Sequence, residues 1–361
     1  MKKALITAGL VVLALIILAA GIYVAYVLLE YKRIPDNRIV EIRQGKTLEA
    51  VPVDEELKAT SFNIGFGAYV QDYSFFMDGG KESRARSKEE LLLNMEDINA
   101  TLANQKADFY MIQEVDKRGT RTYKVDEEAI ITRLKNFAEY DSTFAVNYNF
   151  PYLLYPLTRP HGKNMSGMLT MSAYDITDSL RRSLPIQKGF AKLLDLDRAY
   201  SINRIPTADG KELCLYNFHL SAYTTDKKVV KRQLAMLTED MQKDYEDGNY
   251  VVAGGDCNMD LLGDSGKIFG IREEWYSWAQ PFPVKDMPDG ISLVAPHSTD
   301  KPVPSCRNCN EGYNPETTFV VTVDGFLVSD NVEVIEADVV DLQFMDSDHN
   351  PVYMKFKLKG N

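Results

Sequence analysis

The chain has 361 residues and a formal net charge of −11 at pH 7, because 52 acidic side chains outnumber 41 Lys and Arg. Proteins that track a long stretch of nucleic acid usually carry a basic face, so this charge argues against extended non-specific nucleic-acid binding. A short or transiently bound polyanion is not excluded, because a bound cation can supply positive charge. The hydrophobic content of 45% is ample for a core and argues against a disordered chain.

The N-terminal segment predicts a membrane span. Residues 4–29 carry no charge and are almost entirely apolar. A helix over this segment would be ~39 Å long at ~1.5 Å per residue, which exceeds the ~30 Å hydrocarbon core. A cleavable signal peptide has a shorter apolar core of roughly 7–15 residues. We therefore expect residues 1–33 to be a single-pass transmembrane anchor that holds the chain in a lipid bilayer.

The flanking charges leave the orientation of this span open. Lys2 and Lys3 precede it, and Lys32, Arg33 and Arg38 follow it. The positive-inside rule gives no decision from such balanced flanks. An N-terminal span followed by a long domain commonly exports that domain, so we expect the folded domain to be extracytoplasmic.

A strand–helix–strand unit follows a polar segment at 34–57, which we interpret as a linker leading into the domain. The sequence TSFNIGF at 60–66 predicts a short strand. Ser87 with Glu90 forms a plausible capping box ahead of an amphipathic helix at 89–105. The continuous apolar run DFYMIQEV at 108–115 predicts a buried strand.

A second unit of the same kind lies later in the chain. Residues 213–220 predict a strand, Lys227 to Asp247 predict a helix, and YVVAGGDCNMD at 250–260 predicts a strand that ends in a turn. Strands are predicted again within 318–329 and 341–358. Because strands recur while helices are few, the pattern favours a two-sheet α/β sandwich over a doubly wound sheet.

The four cysteines are too few for a disulfide scaffold in a chain of this length. Cys306 and Cys309 form one C-x-x-C, without the second pair or the nearby histidines that a zinc site would need. In an oxidising compartment a local disulfide is the favoured interpretation, with two unpaired thiols as the alternative. Cys214 lies in an apolar run and is expected to be a small core residue.

Polar side chains that are costly to bury are concentrated at the predicted strand ends. Together they supply carboxylates, amides and two imidazoles, an inventory that suits hard-cation binding and acid–base chemistry. They are Asn63, Gln113, Glu114, Asn217, His219, Asp256, Asn258, Asp324, Asp348 and His349.

The segments that carry these side chains resemble, in order, the successive motifs of the endonuclease/exonuclease/phosphatase superfamily. That superfamily includes deoxyribonuclease I, abasic-site endonucleases, neutral sphingomyelinases and inositol polyphosphate 5-phosphatases. The resemblance runs from about residue 58 to 358 and implies a catalytic domain at 58–361. It implies a four-layer α/β/β/α sandwich of two mainly antiparallel sheets, here preceded by one transmembrane helix. The matching segments are Asn63, QEV at 113–115, NFHLS at 217–221, GGDCNMD at 254–260, VDGFLVS at 323–329 and SDHNPV at 347–352.

The resemblance assigns a metal site to three of these residues. Glu114 corresponds to the principal ligand of Mg²⁺, or of Mn²⁺ or Ca²⁺ in its place, and Asn63 and Asp348 lie beside it. A magnesium site with few protein ligands leaves room for phosphate oxygens and water.

The resemblance also assigns catalytic roles. His349 corresponds to the general base, or to the cation that stabilises developing charge, and Asp324 would orient its imidazole. Asp256 would position the attacking water or assist the leaving group, and Asn258 would donate to a phosphate oxygen. His219 is similar to the second histidine of the deoxyribonuclease I and sphingomyelinase branches, a candidate acid for the leaving oxygen. Abasic-site endonucleases have no histidine there, so the chain departs from that branch.

The expected activity is hydrolysis of a phosphoester by in-line attack of water, with a nucleic acid or a phospholipid headgroup as substrate and a monomeric catalytic domain. One alternative is a catalytically weak binding module that retains the fold. Another is an inositol-phosphate phosphatase, which is disfavoured because no basic cluster matches several phosphates. Trp275 and Trp278 are interpreted as the buried face of a short helix rather than as a membrane contact. Arg198 is interpreted as a surface residue, with a substrate-phosphate contact as the alternative.

Overall fold

A computed structural model describes residues 1–187, 197–222, 227–270, 278–298 and 300–360. The described part contains one long N-terminal helix, two long helices in the domain and two short ones. These helices are α1 (Lys2–Glu30), α2 (Lys88–Gln105), α3 (Glu127–Thr132), α4 (Lys227–Glu246) and α5 (Ser265–Ile268).

Two seven-stranded sheets form the centre of the domain. Sheet 1 has the order β1-β7-β8-β9-β10-β14-β11, sheet 2 has the order β15-β16-β3-β4-β6-β5-β2, and β12 pairs with β13. Neighbouring strands are antiparallel except for β9–β10 and β3–β4, which are parallel. The strands are β1 (Arg38–Ile39), β2 (Ile42–Arg43), β3 (Leu57–Asn63), β4 (Phe109–Asp116), β5 (Asp141–Leu153), β6 (Gly162–Ser172), β7 (Asp178–Ser183), β8 (Ala199–Pro206), β9 (Glu212–His219), β10 (Tyr250–Asp256), β11 (Ile291–Val294), β12 (Cys306–Arg307), β13 (Val320–Val321), β14 (Asp324–Ser329), β15 (Val332–Val339) and β16 (Val352–Leu358).

The sheets pack face to face, and a long helix covers the outer face of each. Side chains of both sheets, such as Met111, Leu215 and Phe326, share the buried cluster between them. Helix α2 packs on sheet 2, and Ser87 caps it by accepting a hydrogen bond from the Glu90 amide at 3.0 Å. Helix α4 packs on sheet 1 through Leu234, Leu237 and Met241, at the helical spacing the sequence shows. The predicted four-layer sandwich is confirmed.

A buried polar network joins the two sheets. Asn217 of β9 accepts a hydrogen bond from Gln113 Nε2 of β4 at 2.9 Å. Its own amide donates to Leu169 O and Thr170 Oγ1 of β6, both at 3.1 Å. Gln113 also donates to Ser61 Oγ at 3.2 Å. These bonds tie the end of β9 in one sheet to three strands of the other.

We expect Asn217→Leu to lower the free energy of unfolding by about 1–3 kcal/mol, because buried groups of the opposite sheet lose their partners. Urea unfolding of the full chain in detergent would measure this. Asn104→Leu, at an exposed position of α2, is the control and should stay within about 0.5 kcal/mol of wild type. Coincident unfolding curves for the two variants would show that the network does not stabilise the fold.

The predicted strand at 318–329 is divided into β13 and β14 by a break at 322–323. At this break the Val323 and Asp324 amides donate to the Ser305 hydroxyl, at 2.9 and 3.0 Å, instead of to a neighbouring strand. Asp324 is therefore the first residue of β14 rather than an interruption inside a continuous strand.

The N-terminal helix α1 is long and apolar enough to cross a membrane, by length and composition. The segment at 34–57, interpreted from sequence as a linker and entry segment, contributes edge strands to both sheets. Strand β1 pairs with β7 in sheet 1, and β2 pairs with β5 in sheet 2.

The favoured disulfide between Cys306 and Cys309 is wrong, because both residues are free cysteines. Their thiols take different partners. The Cys306 sulfur lies 3.6 Å from Nε2 of His349, and the Cys309 thiol donates to the carbonyl of Tyr73 at 3.6 Å. Cys214 is fully buried, as expected of a core residue.

Candidate active site

The polar strand ends converge on one edge of the sandwich. The register places Asn63 opposite Gln113 in the parallel pair β3–β4, and Asp256 opposite His219 in the parallel pair β9–β10. Asp324 lies opposite Asp256 across the antiparallel pair β10–β14. Parallel neighbours end at the same edge of a sheet, so side chains that are remote in sequence meet there.

The tight packing of β9 and β10 explains the glycines before Asp256. A Cβ atom on Gly255 would lie 2.0 Å from the carbonyl oxygen of Phe218, which no side chain tolerates. A Cβ atom on Gly254 would lie 2.6 Å from the Met111 side chain of the other sheet. The glycine pair therefore lets β10 carry Asp256 into the point where the two sheets meet.

Glu114 lies in a β-bulge. Ile112 pairs with Leu169 and Val115 with Gly167, so β4 has one more residue than β6 over this stretch. Glu114 has a φ of 56°, in the left-handed region. Bulges next to active sites re-aim a side chain, and strained backbone of this kind is concentrated at functional sites. The Glu114 carboxylate accepts a hydrogen bond from Asn63 Nδ2 at 3.3 Å and lines the central cavity.

The Asp256 carboxylate lies at the centre of the converging groups. Its Oδ2 accepts from Asn63 Nδ2 and Asn258 Nδ2, both at 3.2 Å. The same oxygen is 3.4 Å from His219 Nε2 and 3.9 Å from His349 Nε2. Burial, followed by the nearby Asp324 carboxylate, raises the pKa of Asp256 to about 7.

His349 and Asp324 form a hydrogen-bonded pair, with Nδ1 and Oδ2 2.7 Å apart. The Ser305 hydroxyl donates to the same oxygen of Asp324 at 2.7 Å and so fixes the carboxylate. Burial acts to lower the pKa of His349, but the charge of Asp324 and its hydrogen bond outweigh it and raise the pKa well above the ordinary value. The pair directs Nε2 of His349 towards Asp256 and Cys306.

His219 has the opposite electrostatics. It is buried, and burial followed by the positive charges of Arg198 and His349 holds its pKa well below the ordinary value. The neutral imidazole directs Nε2 to Asp256, while its Nδ1 has no hydrogen-bond partner among the described residues. The two histidines of the site therefore differ in charge, which is suited to different tasks.

The oxygen donors of the site fit a divalent cation. Burial raises the pKa of Asp348, the positive charges of His349 and Arg307 oppose this, and the charge of Glu114 adds to it, so a cation beside the two carboxylates would relieve their repulsion. Asn63 adds an amide oxygen, which accepts from the Gly65 amide at 3.0 Å and keeps a second lone pair for a cation. Mg²⁺ prefers such oxygen ligands. A second group, Asp256 with Asp324 and His349, has ligand atoms within 4.8 Å of one another.

A cavity of about 370 Å³ opens over these groups. Glu114, Asp348 and both histidines of the site line it. Its wall also contains residues outside the site predicted from the sequence. They include Tyr69, Met77, Asp78, Arg198, Trp278, Cys306 and Arg307.

Two of these residues change the sequence interpretation. Arg198, interpreted as a surface arginine, lines the cavity and lies close enough to act on the pKa of Asp256 and His219. The only sequence signal for a site role of Arg198 was its position just before β8, the strand that pairs with β9. Trp278 is half-buried against Phe319, with ring centroids 6.3 Å apart, and faces the cavity. Trp275 lies outside the described residues.

Several solved structures share this architecture. A crystal structure of an endonuclease/exonuclease/phosphatase from Beutenbergia cavernae DSM 12333 superposes with a TM-score of 0.58 over 84% of this chain and 72% of that one, at 14% identity. The chain has the endonuclease/exonuclease/phosphatase fold. The same fold is shared with ANGEL2, a 2′,3′-cyclic phosphatase, at a TM-score of 0.53 and 14% identity over 91% of this chain and 100% of that one. It is also shared with TDP2 from C. elegans, at a TM-score of 0.51 and 17% identity over 84% of this chain and 75% of that one.

No family model and no curated protein matches the sequence. At 14–17% identity the likeness to these structures establishes the endonuclease/exonuclease/phosphatase fold alone. The chemistry of this chain has to be inferred from the groups that converge on Asp256.

Proposed function

We propose that the protein is a membrane-anchored, divalent-metal-dependent phosphoester hydrolase that acts on phosphodiesters. The observation that carries this proposal is the convergence of two histidines and two amides on one buried carboxylate, Asp256, beside the Glu114 and Asp348 carboxylates. The solved structures of the same fold support it, because one is a 2′,3′-cyclic phosphatase. The exposed helix α1, which carries no charge from residue 4 to residue 29, supports the anchor.

The proposed metal ligands are Glu114, Asn63 and Asp348. When bound, the cation would offset the negative charge of the phosphate and polarise it. The bulge at Glu114 and the hydrogen bond from Asn63 position the principal ligand before substrate arrives. The Asp256–Asp324–His349 group is the alternative site, where Nε2 would be the nitrogen ligand because Nδ1 of His349 is hydrogen-bonded to Asp324.

The other site residues would position water and substrate. Asp256 holds the attacking water, because three side-chain donors fix its carboxylate in one orientation. His349, held by Asp324, presents Nε2 to the reacting phosphate as proton carrier or as stabilising cation. Asn258 and His219 flank Asp256 and would donate hydrogen bonds to non-bridging or leaving oxygens.

Hydrolysis of bis-p-nitrophenyl phosphate by the detergent-solubilised full chain tests this proposal. We expect p-nitrophenol release that EDTA abolishes and that Mg²⁺, Mn²⁺ or Ca²⁺ restores. Failure of wild-type protein to hydrolyse the diester with any of the three ions would contradict phosphodiesterase activity and favour a binding module that keeps the fold.

The proposed substrate is either a nucleic acid or a phospholipid headgroup. A TDP2 structure of the same fold contains a single-stranded DNA product, whereas a membrane anchor would place this site near lipid headgroups. Plasmid DNA, RNA, sphingomyelin vesicles and phosphatidylinositol vesicles, compared side by side under the same metal conditions, would separate the two classes.

The proposed location is a single-pass membrane protein with an extracytoplasmic catalytic domain. Retention of the full chain in the membrane pellet after alkaline carbonate extraction would support the anchor. Protease added to intact cells would degrade an extracytoplasmic domain, and complete protection would show that the domain faces the cytoplasm.

Replacing Asp324 by Asn is expected to lower kcat on the diester by about 10–100-fold, because the amide no longer fixes the tautomer and charge of His349. KM should change little, since Asp324 does not line the cavity. The pH–rate profile should lose or shift the limb due to His349, which a merely structural defect would not do. Asp330→Asn at an exposed position just after β14 is the control.

A further inference from the structure

The tip of the β5–β6 hairpin is an exposed apolar loop. Strand β5 ends at Leu153 and β6 begins at Gly162. Between them Leu154, Tyr155 and Leu157 are 40%, 61% and 76% exposed. Large apolar side chains grouped on one exposed loop mark a surface that binds something. We call residues 154–157 the hairpin tip.

Helix α1 is docked on this hairpin. The Tyr23 hydroxyl donates to the Tyr152 carbonyl at 3.0 Å and accepts from the Leu154 amide at 3.2 Å. One turn later Val27 is buried against Phe150. The start of the hairpin tip therefore lies at the same height along α1 as Tyr23.

That position along α1 would match one edge of the hydrocarbon core if the other edge lies at Ala4. Twenty residues from Ala4 to Tyr23 span ~30 Å at ~1.5 Å per residue, which is the thickness of the core. The remaining apolar residues, from Val24 to Leu29, extend ~9 Å beyond it. The domain covers Val27 of this excess, and the other five residues are exposed. Tyr23 then lies at the membrane interface, where Tyr side chains are enriched.

The hairpin tip is also continuous with the rim of the catalytic cavity. The rings of Tyr155 and Phe76 lie 5.7 Å apart, and so do the rings of Phe76 and His161. Phe76 begins a short helical turn whose next two residues, Met77 and Asp78, line the cavity. The packing partner of the hairpin tip, Phe76, is therefore the immediate sequence neighbour of Met77 in the wall of the active site.

We propose that the hairpin tip inserts into the interfacial layer of the bilayer that α1 spans, so that the catalytic cavity works at the membrane surface on phosphoesters carried by lipids. The catalytic part of this inference rests on the proposed function, whereas insertion does not. Exposed Lys32 and Lys163 lie beside α1 and the hairpin tip, where lipid phosphates would attract them.

An environment-sensitive fluorophore at the hairpin tip tests insertion. Leu157→Cys in the full chain would be labelled with nitrobenzoxadiazole, and the four native cysteines are all buried. The matched control is Ile335→Cys, at a 43% exposed position on β15. Strand β15 lies five strands from β5 in sheet 2. Glu336, the residue after Ile335, lies level with the start of β5, at the opposite end of that strand from the hairpin tip.

In vesicles of phosphatidylcholine and phosphatidylglycerol we expect blue-shifted emission at position 157, quenched by lipids with a spin label near the headgroup. The label at position 335 should show neither effect. Equal emission and equal quenching at the two positions, in protein that resists carbonate extraction, would overturn the proposal.

The ratio of hydrolysis rates on lipid vesicles and on a soluble diester tests whether insertion of the hairpin tip affects catalysis. A carboxylate placed in the interface opposes insertion. Leu157→Asp should therefore lower hydrolysis of sphingomyelin or phosphatidylinositol vesicles, relative to hydrolysis of bis-p-nitrophenyl phosphate, by about tenfold. Ile335→Asp should leave this ratio unchanged. An unchanged ratio in Leu157→Asp would overturn the role of the hairpin tip in catalysis. Inactivity of wild type on every substrate would contradict the proposed function, and the fluorescence test would then decide insertion by itself.

Discussion

The His349→Ala variant is expected to hydrolyse phosphodiesters about 10²–10⁴-fold more slowly than wild type, the contribution typical of one general acid–base group. The structure gives the reason. His349 is the only described residue whose imidazole is held by a carboxylate, Asp324, and directed at Asp256. Alanine removes both the proton carrier and the positive charge. The decrease should appear in kcat, measured with bis-p-nitrophenyl phosphate at saturating metal.

His297→Ala is the matched control for this experiment, because His297 lies outside the catalytic cavity. It should retain wild-type kcat. His349→Gln separates the two functions of the imidazole, since glutamine restores a hydrogen-bond donor without the charge. Wild-type kcat in both His349 variants would exclude His349 from the reaction.

The Glu114→Gln variant is expected to lose metal-dependent activity almost completely at metal concentrations that saturate wild type. Glutamine keeps the size of the side chain and its packing in the bulge, but it removes the charge that a hard cation requires. Raising the Mg²⁺ or Mn²⁺ concentration should recover part of the activity, because a weakened site fills at higher ion concentration.

Calorimetric titration of Mn²⁺ gives a readout of the same site that does not depend on turnover. Glu333→Gln, on an exposed part of β15, serves as the control and should bind as wild type does. Unchanged Mn²⁺ affinity in Glu114→Gln would assign the metal to Asp256, Asp324 and His349 instead.

The sequence predicts the layers of the fold because each layer has a local signature. The periodic apolar positions of α2 and α4 and the apolar runs of β4 and β10 record which faces are buried. Polar residues at the ends of such runs also predict the converging site, because parallel strands bring their carboxyl ends together.

The remaining features depend on contacts between distant residues. Nothing near Asp324 indicates that the Ser305 hydroxyl would end β13 and fix the carboxylate. The spacing of the C-x-x-C motif suggested Cys309 as the partner of Cys306, but the Cys306 thiol contacts His349 instead. Arg198 enters the cavity because it directly precedes β8, which pairs with β9, and β8 was not among the strands predicted from the sequence.

The bulge in β4 has a consequence for how this chain can change during evolution. The buried apolar side chains of this stretch, such as Met111, Ile112 and Val115, can be exchanged for other apolar ones. The number of residues in that stretch cannot change, because deletion of one would restore regular pairing with β6 and turn Glu114 to the other face of the sheet. Point substitutions can therefore accumulate around the site, whereas a single codon lost from this strand would remove the proposed metal ligand.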